Sequence, residues 1–148
     1  MIPLSDITAA LAARISAGTG VFAIDERLRT TVYPSYYISA LPRDLTVIAG
    51  GRQVLRQVEV RICCHCSRQR EDEGQRDMTE ALYSLLLPAF PACGRSFCPT
   101  QLTVEQQGED MLLSFRLEFC DLPPGQVSHN TEHMEALSLT LRRAEAEE

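Results

Sequence analysis

The residues best suited to chemistry fall in one run, Cys63-Cys64-His65-Cys66, with Cys93 and Cys98 further along the chain. Thiolate and imidazole are the ligands zinc prefers in its tetrahedral sites. A thiol close to a histidine is also the starting point of a cysteine nucleophile, which needs a base within reach. The surrounding pattern decides how far either reading goes. From Arg52 to Cys66, RQVLRQVEVRICCHC, residues Val54, Val58, Val60, Ile62, Cys64 and Cys66 share one parity, and Gln53, Gln57, Glu59, Arg61 and His65 share the other. Successive side chains of a strand point to opposite faces, so the run predicts a long strand with one buried and one wet face. Arg56 breaks the apolar parity near its beginning, where the strand is expected to reach past the core.

On such a strand Cys64 and Cys66 point inward while Cys63 and His65 point outward, so the four cannot converge on one ion. Buried thiols behave as small hydrophobes. The expectation is therefore no metal and no cofactor, with a zinc- or redox-responsive site at Cys63, Cys64 and Cys66 as the alternative. Strand geometry also turns His65 away from Cys64 and Cys66, and His129 and His133 lie near the C-terminus. No glycine-rich phosphate loop, HExxH or GxSxG motif is present. Glu71, Asp72 and Glu73 sit in a charge run with nothing to raise a carboxyl pKa. The chain is expected not to be an enzyme.

The elements that would position these residues can be read from the same periodicities. Ser5 is a candidate N-cap for a helix in which Ile7, Ala10, Leu11 and Ile15 recur at helical spacing, with Gly18 as its stop. Val21 to Asp25 is a short strand, and Tyr36 to Leu41 a second one closed by Pro42. The segment 42–51, PRDLTVIAGG, is expected to be a protruding loop with Leu45, Val47 and Ile48 at its tip. SRQREDEGQRD, residues 67–77, is expected to be a solvated lead into a helix carrying the stripe Met78, Ala81, Leu82, Leu85 and Leu86, which Pro88 ends. An irregular link follows. Gln101 to Gln106 and Met111 to Cys120 alternate as two strands of a hairpin, the second with Met111, Leu113, Phe115, Leu117 and Phe119 inward. The predicted fold is α+β: a mainly antiparallel sheet with helices packed on one face, in the order α-β-β-β-α-β-β, followed by a C-terminal tail. Residues 1–122 form the domain and 123–148 a linker and tail.

Bulk properties narrow the function classes. A chain of 148 residues with 45% hydrophobic content suits one domain with a substantial core. No apolar run approaches the roughly 18 residues of a membrane-spanning helix. The N-terminal stretch has no basic flank, and Asp6 interrupts its apolar residues, which argues against a signal peptide and for an intracellular protein. A net charge of −6 argues against a dedicated nucleic-acid binder, which needs a basic surface to displace counterions. All 14 basic residues are arginine. Glu59 and Arg61, and Arg116 and Glu118, on the wet faces of their strands, are candidates for cross-strand ion pairs on a polar face or a subunit contact.

Taken in order, the chain shows Val32-Tyr33-Pro34, the aromatic strand SYYISAL, Gly50-Gly51-Arg52, the long alternating strand, the helix ALYSLL (Ala81 to Leu86), and the hairpin EQQGEDMLLSFRLEFCD. This order resembles the tail terminator, or tail completion, proteins of long-tailed phages and prophages over about residues 4 to 122. The CCHC stretch and the absence of lysine depart from that family. The resemblance implies a non-enzymatic structural protein that caps the head-proximal end of the tail tube as a hexameric ring, ending tube polymerisation and preparing head attachment. It implies other copies of the chain, the tail tube protein and the head–tail connector as partners, with no membrane and no sequence-specific nucleic acid. It also implies a place in the host cytoplasm during assembly and then in the virion tail. Arg52, Arg56, Arg61, Arg116, Leu45, Val47 and Ile48 are the interface residues on that reading. Another head–tail joining protein is the near alternative.

Overall fold

The computed structural model describes residues 1–28, 34–65, 71–108 and 110–125. Cys66, Val32, Tyr33, residues 67–70, His129, His133 and the expected tail from residue 126 onward lie outside the described residues. The order is α1 (Leu4–Thr19), β1 (Phe22–Asp25), β2 (Ser35–Ile48), β3 (Gln53–His65), α2 (Glu71–Leu86), β4 (Phe90–Ala92), β5 (Arg95–Phe97), β6 (Thr100–Gln107) and β7 (Asp110–Asp121). One sheet runs β1-β2-β3-β7-β6, antiparallel except for the parallel pair β1–β2, and β4–β5 form a separate small hairpin. The fold is α+β.

The long alternating run forms the middle of this sheet. Val54, Val58, Val60, Ile62 and Cys64 of β3 are buried on the helix side, opposite Leu113, Phe115 and Leu117 of β7. Helix α1 lies over β1 and β2 and presents Ile7, Leu11 and Ile15, while α2 lies over β3 and β7 and presents Met78, Leu82 and Leu86. Each such side chain, fully buried, contributes on the order of 1.5–3 kcal/mol. Tyr36 fixes α2 on the sheet, its buried hydroxyl donating to the Met78 carbonyl at 2.8 Å. That burial pushes the Tyr36 phenol pKa far up.

Several expected boundaries move, each for a physical reason. Residues 42–48 are not a loop. Strand β2 continues through them to Ile48, and only Ala49–Gly51 make the turn into β3. Pro42 is tolerated because, among the described residues, β1 pairs only with Ser35–Ile38 and β2 is at the edge of the sheet beyond them, and because a bulge at Arg43 interrupts the register there. Helix α1 does not stop at Gly18. Gly20, with φ 72°, closes it, and the side chain of Ser5 makes no cap. Gly18 serves packing, since a Cβ there would come within 2.6 Å of Leu85 Cδ2 of α2. Helix α2 begins at Glu71, inside the expected solvated run; Glu, Gln and Arg are good helix formers, and acidic residues suit a first turn.

The expected irregular link contains the β4–β5 hairpin, turned at Cys93-Gly94 with φ of 54° and 73°, the two positive values that a tight hairpin turn of matching twist requires. It delivers Phe90 and Phe97 into the core, where Phe90 meets Phe115 edge-on at 6.2 Å and Phe97 meets Phe119 at 5.0 Å.

Candidate functional site

The helix-free face of the sheet is where the outward residues collect. Glu59 stands at its centre. Arg61 Nε, from the same strand, donates to Glu59 Oε2 at 3.0 Å, and Arg43 reaches the other carboxylate oxygen from the β2 bulge. Burial alone would raise the Glu59 carboxyl, but the hydrogen bonds from Arg61 and Arg43 outweigh it and hold the pKa below the usual value. Arg116 is exposed on β7 in register with Glu59, and beside it Gln57 Nε2 donates to Glu118 at 3.2 Å. The described ion pairs of Glu59 thus run to Arg61 within its own strand and to Arg43 across the hairpin, and Arg43 was not singled out by sequence. With a cleft of about 200 Å³ between Glu59, Thr103 and Arg116, this surface is polar, shallow and suited to contact rather than to enclosing a substrate.

At the far end of the same face Tyr37, Cys63, His65, Asp110 and Leu112 come together. His65 Nδ1 lies 2.6 Å from Asp110 Oδ1, and the Cys63 thiol reaches Asp110 Oδ2 at 3.5 Å. The Tyr37 ring rests against the imidazole with centroids 5.7 Å apart. Cys63 and Cys64 lie on opposite faces of β3: Cys64 is fully buried on the helix side, where the Thr79 hydroxyl approaches its sulfur at 3.9 Å. Among the described residues no group of three His, Cys, Asp or Glu side chains is arranged to hold a metal ion. Asp110, not the imidazole, is the centre of this cluster, so Nδ1 of His65 serves a carboxylate. Cys93, Cys98 and Cys120 are exposed thiols. Partial desolvation, with Asp6 nearby, pushes the Cys93 thiol pKa up, away from the thiolate a nucleophile needs. It lines an open groove of about 640 Å³ with Met1, Ile2, Asp6 and Asp121.

Six of the seven expected interface residues separate into three groups. Arg61 and Arg116 lie on the helix-free face, in the belt around Glu59. Arg52 is exposed, its Nε donating to the Ala49 carbonyl at 3.1 Å and tying down the hairpin turn. Leu45 and Val47 are 47% and 63% exposed, with Ile48 half-buried.

Arg56, expected at the interface, is instead buried, and the strand has not passed beyond the core there, since Val54 is buried as well. The Arg56 side chain is 8% exposed, and Nη1 donates to Asp121 Oδ2 at 2.9 Å and to the Ile2 carbonyl at 2.7 Å. The guanidinium also lies 5.3 Å from the Phe119 ring centroid. Burial would raise the Asp121 carboxyl, but the Ile2 and Leu122 amides and Arg56 hold it below the ordinary range. Arg56 therefore pins the N-terminal segment to the end of β7. The broken parity marked a buried ion pair, and Asp121, also an odd charge at the end of an apolar alternation, was its unread partner.

No family model matches the chain, and no curated protein matches it. One solved structure is similar to this chain at 12% identity over 82% of this chain and 94% of its own, with a TM-score of 0.43.

Proposed function

We propose that this chain is a non-enzymatic assembly protein of the tail-terminator kind. It caps the head-proximal end of a phage or prophage tail tube as a hexameric ring, ending tube polymerisation and preparing head attachment. The observation that carries the reading is the order of elements with their quoted sequence runs: an N-terminal helix, an aromatic strand joined through Gly50-Gly51-Arg52 to the long alternating strand, an amphipathic helix, and a closing hairpin. The helix-free sheet face supports it, since a broad polar surface bearing Arg61, Glu59 and Arg116 suits contact with another protein better than catalysis. The partners on this reading are other copies of the chain, the tail tube protein and the head–tail connector. The protein would assemble in the host cytoplasm and end in the virion tail.

A native mass spectrum of the purified, concentrated protein tests it, because one spectrum reads both stoichiometry and bound metal. A metal-free hexamer is the expected result. A monomer carrying one zinc per chain would overturn the reading in favour of a cysteine-centred site.

A further inference from the structure

Among the described residues the sheet has two open edges, and they match. Beyond Ile38, β2 has no neighbour on its outer side among the described residues, and β6 closes the opposite end of the sheet. Regular pairing with the sheet's interior covers Asp44–Ile48 after the bulge in β2 and Thr103–Gln107 after the irregularity in β6, five residues on each edge. Edge strands are ordinarily defended by charge, above all lysine, and by proline, bulges or short length, and here the bulges lie outside the regularly paired stretches. Within these two stretches there is no lysine and no proline, and the only charges are Asp44 and Glu105.

The bulge at Arg43 has a further effect, because one extra residue reverses which face each following side chain takes. Leu45 and Val47 consequently stand opposite Arg56 and Val54, on the helix side of the sheet. Val104 stands opposite Leu113 and so lies on that same side. Helices α1 and α2 cover β1, β2, β3 and β7 nearer the centre, which leaves Leu45, Val47 and Val104 at 47%, 63% and 37% exposure. Both edges thus carry uncovered apolar side chains on one and the same face.

We infer that β6 of one copy adds, antiparallel, to the Asp44–Ile48 edge of β2 in the next, making a head-to-tail contact between copies of this chain. This rests on the ring reading above and names the surface that would build it. The direction follows from the sheet itself. β2, β3, β7 and β6 alternate, so β6 runs opposite to β2, and a copy rotated about a ring axis presents β6 antiparallel to its neighbour's β2. Continuing the sheet keeps its faces aligned and brings Val104 beside Leu45 and Val47, closing the apolar gap between the two sets of helices. The groove of about 270 Å³ between Leu4, Thr8, Arg27 and Ser39–Leu41 leaves the β2 edge accessible just past the end of β1. A contact that uses two different edges is heterologous and closes into a ring when the rotation permits.

Complementation tests the pairing. Val47→Asp disables the β2 edge and Val104→Asp the β6 edge, and both positions are exposed, so each variant should stay folded with the circular-dichroism spectrum of wild type. Native mass spectrometry should show an assembled wild type, each variant alone as a monomer, and an equimolar mixture with one variant isotope-labelled as a 1:1 heterodimer that grows no further. Val47→Ser and Val104→Ser weaken assembly in the same pattern without adding charge, should either Asp variant misfold. Assembly retained by both Asp variants, a monomeric mixture, or a wild type that stays monomeric would each overturn the inference. Val104→Asp still forming homodimers, with Val47→Asp monomeric, would do so too, by showing two β2 edges pairing with each other. Head-to-tail association without any effect on tail tubes would leave the pairing standing and remove the proposed function. Rings that cap tubes in both Asp variants would do the reverse.

Discussion

Replacing Arg56 by methionine is the sharpest test of how the ends of the chain are held. The guanidinium and its partner carboxylate are 8% and 7% exposed, and the pair is closed at 2.9 Å. Removing one member of a buried pair typically costs about 3–5 kcal/mol, because the other charge stays buried without its counter-ion. Asp121 keeps the amides of Ile2 and Leu122 at 2.8 Å each, which places the cost at the lower end, about 3 kcal/mol. For a chain of this size that is a fall in melting temperature of ~10 °C. Thermal unfolding followed by circular dichroism reads it directly. The double replacement Arg56→Met with Asp121→Leu should recover part of the loss, since an apolar pair removes both buried charges together while the Ile2 and Leu122 amides lose their acceptor. Arg52→Ala, four residues away in the exposed turn, should shift stability by no more than about 0.5 kcal/mol. An Arg56→Met protein melting within two or three degrees of wild type (about 1 kcal/mol or less) would refute the reasoning. So would strictly additive single and double variants.

Three further outcomes are expected. Gly18→Leu should destabilise by about 1 kcal/mol in urea unfolding, because even a Cβ at this position meets Leu85 at 2.6 Å and a longer side chain must displace the Leu85 side chain. Tyr36→Phe should cost about 1 kcal/mol by the same assay, removing the buried hydroxyl that bonds the Met78 carbonyl. Stability should fall in acid. The carboxyls of Asp25, Glu59 and Asp121 all sit below their ordinary values in the folded protein, so the unfolded chain takes up protons first as the pH drops. Their contribution is fully present above the unfolded carboxylate range near about pH 4 and is lost as pH falls through the lower folded values. Urea midpoints measured across that range should show this decline, with a shallower one in Asp121→Asn.

Much of the sheet was legible because its two central strands are buried on one face only, which imprints strict alternation on Val54–Cys64 and Met111–Phe119. The stripe from Met78 to Leu86 was legible for the equivalent helical reason. What sequence missed came from tertiary context. Pro42 reads as a strand end, yet it fits an open edge beside a bulge. Gly18 reads as a helix stop, yet it answers to Leu85 of another helix. Phe90 and Phe97 reach the core through a hairpin of three-residue strands, too short for any period to show. Cys63 and Cys64 were placed correctly on opposite faces from alternation alone. Asp110, which gathers His65 and Cys63, depended on the register between β3 and β7, which local sequence does not encode. Arg56 carried a visible signal, a charge on the buried parity, whose meaning depended on an equally misplaced Asp121, 65 residues further along the chain.

The central claim is most directly tested on tail tubes. Cognate tube protein would be polymerised with and without this chain, and tube lengths and ends imaged by negative-stain electron microscopy. The account predicts shorter tubes of narrowed length distribution, each bearing a sixfold ring at one end only. Unchanged lengths with bare ends, or the protein decorating tubes along their whole length, would contradict it.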